Sequence, residues 1–395
     1  MPPSFRSVYL KEKPLATQIP QSAHFVFEER KVTSESKYVL SRFAYMHTDE
    51  HQIVLESPLS YSRIILQHWI ASAVIHALAQ PVSVQDLCRM IPELRKATAG
   101  EFMSLLWSSQ MLWEVSDRGL SLEDEMASLQ SWEFHDFLFH SRSRGGRHDH
   151  PVGGTYRLAG ILDPPPVLKK GMEGESFPLY QPDLKKIQQE DLPYARVQEE
   201  RCSIREYSKE PISDRQLGEF LYRVGRLSDY QKTTISTTQG ILQMDLAYRP
   251  FPSAGGLYEV ELYVAINRCK NLTPGLYYHD PEKHRLIRVS GMTADVEALL
   301  RDAGVATMVP VEQIQTLTIL AARFQRLAWK YSSIAYALML KNVGVIYQTM
   351  YLAATAMGLA PCAVGYGDSD LFARAAGTEY CAETSVGEFL LGSRP

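Results

Sequence analysis

From Arg326 the chain reads "RLAWKYSSIAYALMLKNVG" and stays apolar to about Ala356. Read forward, this is one long helix beginning near Trp329. A helix that is apolar on most of its circumference has to be covered by lipid or by protein. A membrane span needs about 20 nearly unbroken apolar residues. The most membrane-like stretch, Val343 to Val364, is interrupted by Gln348, Thr349, Thr355 and Pro361. The expectation is a central helix buried in protein, with no membrane span. Two residues with exchangeable protons, Lys330 and Tyr331, stand at its head. A cation there opposes the helix macrodipole, which counts against a plain solvated helix end.

A chain of 395 residues favours two domains, and its 45% hydrophobic share suffices for a sizeable core. A net charge of −4 with no basic run gives no electrostatic footprint for nucleic acid. The five cysteines are scattered and include no CxxC, as suits a reducing cytoplasm. The N-terminus, "MPPSFRSVYLKEKPLATQIP", lacks the apolar region of a signal peptide. The expected location is cytoplasmic.

Composition shifts at Ser141–Pro166 and Met172–Ala195 divide the chain into residues 1–125, a connector at 126–195, and residues 196–395. In the first part, "KYVLSRFAYMHTDEHQIVLES" reads as strands with a turn at Thr48–His51. "YSRIILQHWIASAVIHAL" has apolar residues at helical spacing. Ser83 and Asp86 begin a second helix, Thr98 and Glu101 form a capping box for a third, and "MLWEV" follows as a strand. Helix, helix, helix, strand is a winged-helix order. Thr98–Gln110 holds no Lys or Arg, so a peptide-binding role is expected and not a DNA-binding one. "HDH" at His148–His150 has no third ligand at suitable spacing, so no metal is expected. His135 and His140 read as packing residues. Downstream, Ser213 and Gln216 cap a helix, and strands and a hairpin follow, an α+β pattern.

Three further stretches suit a ligand. "RCSIR", Arg201–Arg205, sets two guanidinium groups and a hydroxyl where a phosphate could be held. "PSAGGLY", Pro252–Tyr258, lets backbone approach a flat ligand. Gly365 and Gly367 in "VGYGDSD" could offer backbone N–H groups. Neither glycine stretch has Rossmann or P-loop spacing.

Taken in order, "ERCSIREYSKEPIS", "RPFPSAGGLYEVELYV", "GLYYHDPEKHRL", "AWKYSSIAYALMLKNVGVIYQTMYLAATAMGLAPCAVG" and "FLLG" resemble the SagB-type dehydrogenases, FMN enzymes of the nitroreductase-like superfamily that includes azoline oxidases. "WEFHDFLFHSRSRGGRHDHPVGGTYR" resembles that family's connector. The resemblance implies the nitroreductase-like α+β FMN-binding fold with an N-terminal winged-helix-like domain, and a homodimer with FMN at the subunit interface. It implies that Arg201, Ser203 and Arg205 hold the FMN phosphate and ribityl chain, with Cys202 where relatives often carry Arg or His. Pro252, Ser253, Ala254 and Gly255 would face the isoalloxazine ring, Gly365 the flavin N5 edge, and Arg394 the phosphate. Lys330 and Tyr331 match a pair implicated in azoline oxidation.

The implied activity converts thiazolines or oxazolines in a modified precursor peptide to thiazoles or oxazoles. A cyclodehydratase would supply the rings, and the N-terminal domain would clamp the leader peptide. The chemistry needs a hydride acceptor and a positioned base for the Cα proton. Adjacent helical residues diverge by about 100°, which leaves open whether Lys330 or Tyr331 takes that proton. Two alternatives stand beside this reading. One is a flavin oxidoreductase on a carrier-bound or small heterocycle. The other is a non-catalytic winged-helix binding protein.

Overall fold

The computed structural model describes residues 5–169, 172–237 and 240–395. They form two compact units that meet in sequence between Val152 and Gly153. The stretch 126–195 is therefore divided between them.

The first unit contains, among the described residues, β1 (Arg6–Leu10), β2 (Lys13–Pro20), β3 (Tyr38–Leu40), β4 (Tyr45–Asp49), β5 (Gln52–Glu56), β6 (Ser62–Leu66), α1 (Trp69–Ala77), α2 (Val84–Met90), α3 (Lys96–Ser108), β7 (Leu112–Glu114), α4 (Leu122–Glu125), α5 (Ala127–Gln130) and α6 (Phe134–Arg142). Five strands form an antiparallel sheet in the order β1-β2-β6-β5-β4. The β4–β5 turn is Glu50–His51, both at positive φ (45° and 67°), the geometry that matches strand twist in a two-residue hairpin.

The helical spacing of "YSRIILQHWIASAVIHAL" is broken in the structure. Ser62–Leu66 pairs as a strand with β2 and β5, and the helix starts at Trp69 after His68 as its cap. The β-branched Ile64 and Ile65 gain more from the ladder than from a helix. The Ser83–Asp86 capping box is present, whereas the Thr98–Glu101 box is not. α3 starts at Lys96, so Thr98 lies inside it and Lys96 belongs to the helix. β7 pairs with the upstream β3. His135 is exposed and lies beside Glu133 and Asp136, contrary to its reading as a packing residue. His140 stacks on Trp132. His148 and His150 are engaged with the carbonyl and guanidinium of Arg142.

The second unit contains β8 (Gly153–Gly154), β9 (Ser176–Pro178), α7 (Leu184–Glu190), α8 (Tyr194–Glu200), α9 (Asp214–Gly225), β10 (Asp229–Thr237), β11 (Gly240–Tyr248), β12 (Val260–Ile266), β13 (Gly275–Asp280), β14 (Arg285–Ser290), α10 (Ala294–Thr307), β15 (Thr316–Arg323), α11 (Phe324–Ala328), β16 (Tyr331–Ser332), α12 (Ala335–Ala356), β17 (Leu359–Val364), α13 (Ser369–Ala376) and β18 (Glu383–Ser393). Seven strands form a sheet in the order β17-β18-β15-β12-β13-β14-β9, with every neighbouring pair antiparallel.

Strand periodicity puts alternate residues of β12 on opposite faces. Leu262, Val264 and Ile266 pack with Leu217, Phe220 and Leu221 of α9 and Ile346, Met350 and Ala354 of α12. Tyr263 and Ala265 pack with Leu299, Leu300 and Ala303 of α10 and Phe372 of α13. The sheet is thus covered on both sides, and β12 is buried along its whole length. α12 is apolar because it lies against this sheet. No helix of the described residues is long and apolar enough to cross a membrane.

The predicted helix from Trp329 is interrupted. α11 ends at Ala328, Ser333 has a φ of 61°, and α12 starts only at Ala335. Lys330 and Tyr331 sit in the break between the two helices and not at a helix head.

Candidate functional site

The break is held by a distant segment. Tyr331 and Ser332 pair with Gly154 and Gly153. The Tyr156 N–H donates to the Lys330 carbonyl at 2.9 Å, and the Thr155 and Ser332 hydroxyls are 2.6 Å apart. Lys330 Nζ lies 5.5 Å from the Tyr156 ring centroid and 5.2 Å from that of Tyr331, within reach of both rings.

Both head groups converge on Gly255. A Cβ there would stand 2.6 Å from Tyr331 Oη and 2.7 Å from Lys330 Nζ. The divergence expected of adjacent helical residues does not apply, because this pair is not helical. Gly255 has a φ of 61°, a left-handed conformation that costs a side-chain-bearing residue about 1–2 kcal/mol. Gly255→Ala should lower stability by about that amount and push the two head groups aside. Denaturant unfolding checks the first effect. An unchanged midpoint would contradict this loop geometry.

The rest of the loop is anchored from behind. Ser253 Oγ accepts from the Tyr258 N–H at 3.1 Å and from Asn342 Nδ2 at 3.2 Å, and donates to Glu259 at 3.2 Å. Asn342 also donates to Glu259 at 2.8 Å. Glu259 is completely buried, and that burial pushes its carboxyl above the ordinary range against these hydrogen bonds. The Ser253 hydroxyl is therefore committed to fixing the loop on α12. The buried guanidinium of Arg326 donates twice to the Leu257 carbonyl and is pushed down to about 10 by burial. Asn342 and Glu259 were not among the residues singled out from sequence. The available signal was a polar residue on the buried face of an otherwise apolar helix.

The arginine segment packs elsewhere, against Tyr351 of α12 and against β17. The Ile204 N–H donates to the Pro361 carbonyl at 2.8 Å, which seats residues 201–205 on the edge strand β17. The Arg201 guanidinium is 5.2 Å from the Tyr351 ring, and the Ser203 hydroxyl is 2.7 Å from Tyr351 Oη. Arg205 lies beside the Cys362 thiol, whose pKa burial raises and Arg205 lowers. Arg394 Nε donates to the Leu359 carbonyl at 3.3 Å. Cys202 is exposed. Asn342 and Tyr351 are nine residues apart, roughly 13 Å along a helix axis. The structure thus brings Lys330 and Tyr331 to Gly255, and Arg201, Ser203, Arg205 and Arg394 to β17, as two separate clusters.

Gly365 follows β17 and lines a cavity of about 340 Å³ with Tyr336, Tyr347, Tyr366, Gly367 and Glu388. The N–H groups of residues 365–367 donate to no protein acceptor among the described residues.

The donor set around β17 fits an anion. Three guanidinium groups and a hydroxyl gather there, and no carboxylate pairs with Arg201, Arg205 or Arg394 among the described residues. Such forks suit a phosphate, and the open glycine backbone at 365 suits a flat ring. A mononucleotide flavin fits this chemistry.

The comparisons with known proteins agree with this architecture. Residues 38–149 match the family model of the cyanobactin oxidase ThcOx, and residues 199–392 match that of the nitroreductase family. A nitroreductase-type protein of Methanocaldococcus jannaschii is 27% identical over 195 residues, covering 49% of this chain and 85% of that protein. Among solved structures, a nitroreductase-type protein of Anabaena variabilis aligns at 22% identity with a TM-score of 0.44, over 64% of this chain but only 45% of the other. The Escherichia coli microcin synthetase McbBCD complex, solved with truncated pro-MccB17 bound, has a chain that aligns at 17% identity with a TM-score of 0.40, over 60% of this chain and 81% of that one. Residues 199–392 thus belong to the nitroreductase family and follow a region of ThcOx type, which supports a SagB-type nitroreductase-like enzyme.

Proposed function

We propose that this protein is an FMN-dependent dehydrogenase that oxidises thiazoline or oxazoline rings in a modified precursor peptide to thiazoles or oxazoles. The observation that carries this reading is the convergence of Lys330 Nζ and Tyr331 Oη on Gly255, in the loop suited to a flat ring. FMN, when bound, supplies the hydride acceptor that this oxidation needs. Arg201, Ser203 and Arg205, with Arg394, hold its phosphate. Pro252, Ser253, Ala254 and Gly255 border its ring, and the Gly365 N–H meets the ring edge.

The Lys330–Tyr331 pair removes the proton at the azoline Cα, while the neighbouring carbon gives up its hydride. A carbon–carbon double bond thereby forms between these two ring atoms, and two hydrogens leave the substrate. The strap at residues 153–156 holds the pair in place during this transfer.

The first unit, which carries the ThcOx match, binds the precursor peptide. A cyclodehydratase, which closes a Cys, Ser or Thr side chain onto a peptide carbonyl with loss of water, supplies the azoline. A second copy of the chain covers α12, whose Tyr336, Leu340 and Val345 are exposed. Five unpaired cysteines suit a reducing cytoplasm.

The test is incubation of the FMN-loaded protein with an azoline-bearing peptide. The peptide should lose the mass of two hydrogen atoms per ring. A flavin-loaded protein that leaves the peptide mass unchanged excludes azoline oxidation, and reduction of its flavin by a carrier-bound or small heterocycle would then identify the substrate class.

A further inference from the structure

Glu388 stands in the middle of β18, between Ile319 of β15 and Val364 of β17. It is 5% exposed. Its surroundings are unusual for a buried acid. Ser385 Oγ donates to its carboxyl, and among the described residues no Lys, Arg or His forms an ion pair with it or lines the cavity it faces. From α12 it is faced by Tyr336 and Tyr347, and from the loop after β17 by Tyr366. Tyr347 Oη accepts from the Glu388 N–H at 2.9 Å and donates to the Val364 carbonyl at 3.4 Å, so it neutralises nothing. Asp368, the nearest acid on that loop, caps α13 by accepting from the Leu371 N–H. The carboxyl of Glu388 fills the space a side chain at Gly367 would need, so the acid and the 365–367 loop are packed directly together.

A buried carboxylate needs a counter-charge or it takes up a proton. Here burial pushes the carboxyl up to about 7, with only the Ser385 hydroxyl opposing. An acid so balanced exchanges its proton near neutrality at little cost. It also responds to any new charge in the cavity, because a like charge nearby raises its pKa further.

We propose that Glu388 is a proton-exchanging residue of the flavin pocket, taking up one proton from solvent when the cofactor accepts a hydride. This rests on the reading above that FMN lies with its ring edge at Gly365. Hydride acceptance adds negative charge to the ring, and the charged form of Glu388 is then disfavoured. The carboxylate binds a solvent proton and becomes the neutral acid. The Cα proton goes separately to the Lys330–Tyr331 pair. When the electrons leave, Glu388 returns its proton. By linkage, protonation of Glu388 favours the reduced cofactor by the same factor.

The experiment is the pH dependence of the flavin midpoint potential in the FMN-loaded full-length protein and in Glu388→Gln. One proton per two electrons changes the equilibrium tenfold per pH unit, about 30 mV. Above about pH 7 the wild type should show a second proton, a hundredfold change and about 60 mV per unit. Glu388→Gln, which keeps a hydrogen-bonding side chain of the same shape, should stay near 30 mV. Equal slopes in the two proteins would overturn the proposal. Should the variant not fold, the wild type alone decides it. Its reduced-minus-oxidised infrared difference spectrum above pH 7 should gain a protonated-carboxyl band, and absence of that band overturns the proposal. A protein that cannot take up FMN overturns the flavin reading and this inference with it. One that takes up FMN and shows an unchanged slope overturns this inference alone.

Discussion

Replacing Lys330 with alanine is expected to lower turnover by about 10²–10⁴-fold, the usual contribution of a positioned acid–base group, while FMN stays bound. The two effects separate because Lys330 lies in the break before α12, whereas the arginine cluster packs near Tyr351 in its last turns and on β17. Lys330 meets Gly255 and two aromatic rings. The anion donors meet Tyr351, Pro361 and Leu359. Tyr331→Phe removes only the hydroxyl and tests the other half of the pair. If one of the two variants loses far more than the other, that residue takes the proton. The measurement is single-turnover bleaching of the flavin absorbance on mixing with an azoline peptide. A Lys330→Ala protein that bleaches at the wild-type rate would remove the pair from the chemistry.

The Arg201→Ala, Arg205→Ala double variant should bind FMN about 10²–10⁴-fold more weakly. Each charge-assisted hydrogen bond is worth about 1.5–3 kcal/mol, and about 1.4 kcal/mol is tenfold in affinity. Neither guanidinium is held by a carboxylate among the described residues, so their removal strands no buried acid and should not unfold the protein. Arg394→Ala should cost less, because one of its donors is already committed to the Leu359 carbonyl. Quenching of flavin fluorescence during titration of apo-protein gives the affinities. Wild-type affinity in the double variant would mean that the phosphate lies elsewhere.

Much of the second unit was legible before any coordinates. The Ser213–Gln216 capping box, the β13–β14 hairpin and the alternation in β12 all appear where the residues place them. Two of the misreadings share one cause. "YSRIILQHWIASAVIHAL" carries a helical period, yet Ser62–Leu66 within it pairs with strands elsewhere in the chain. The helix expected from Trp329 carries a helical period too, yet it is cut by a strand pairing with Gly153 and Gly154. In both places long-range ladder contacts overrode local preference.

By itself the sequence determined the helices with matched caps, the strands with clean alternation, and a central apolar helix that must be covered. Those properties come from residues two to four positions apart, whose interactions need no partner from elsewhere in the chain. Tertiary structure alone decided that Lys330 and Tyr331 leave the helix and point at one glycine. It also decided that Asn342 and Glu259 fix the ring-facing loop, and that Glu388 is buried without a cation. In each case the partners are far apart in sequence, so the environment that tunes their chemistry exists only once the sheet and its covering helices have assembled.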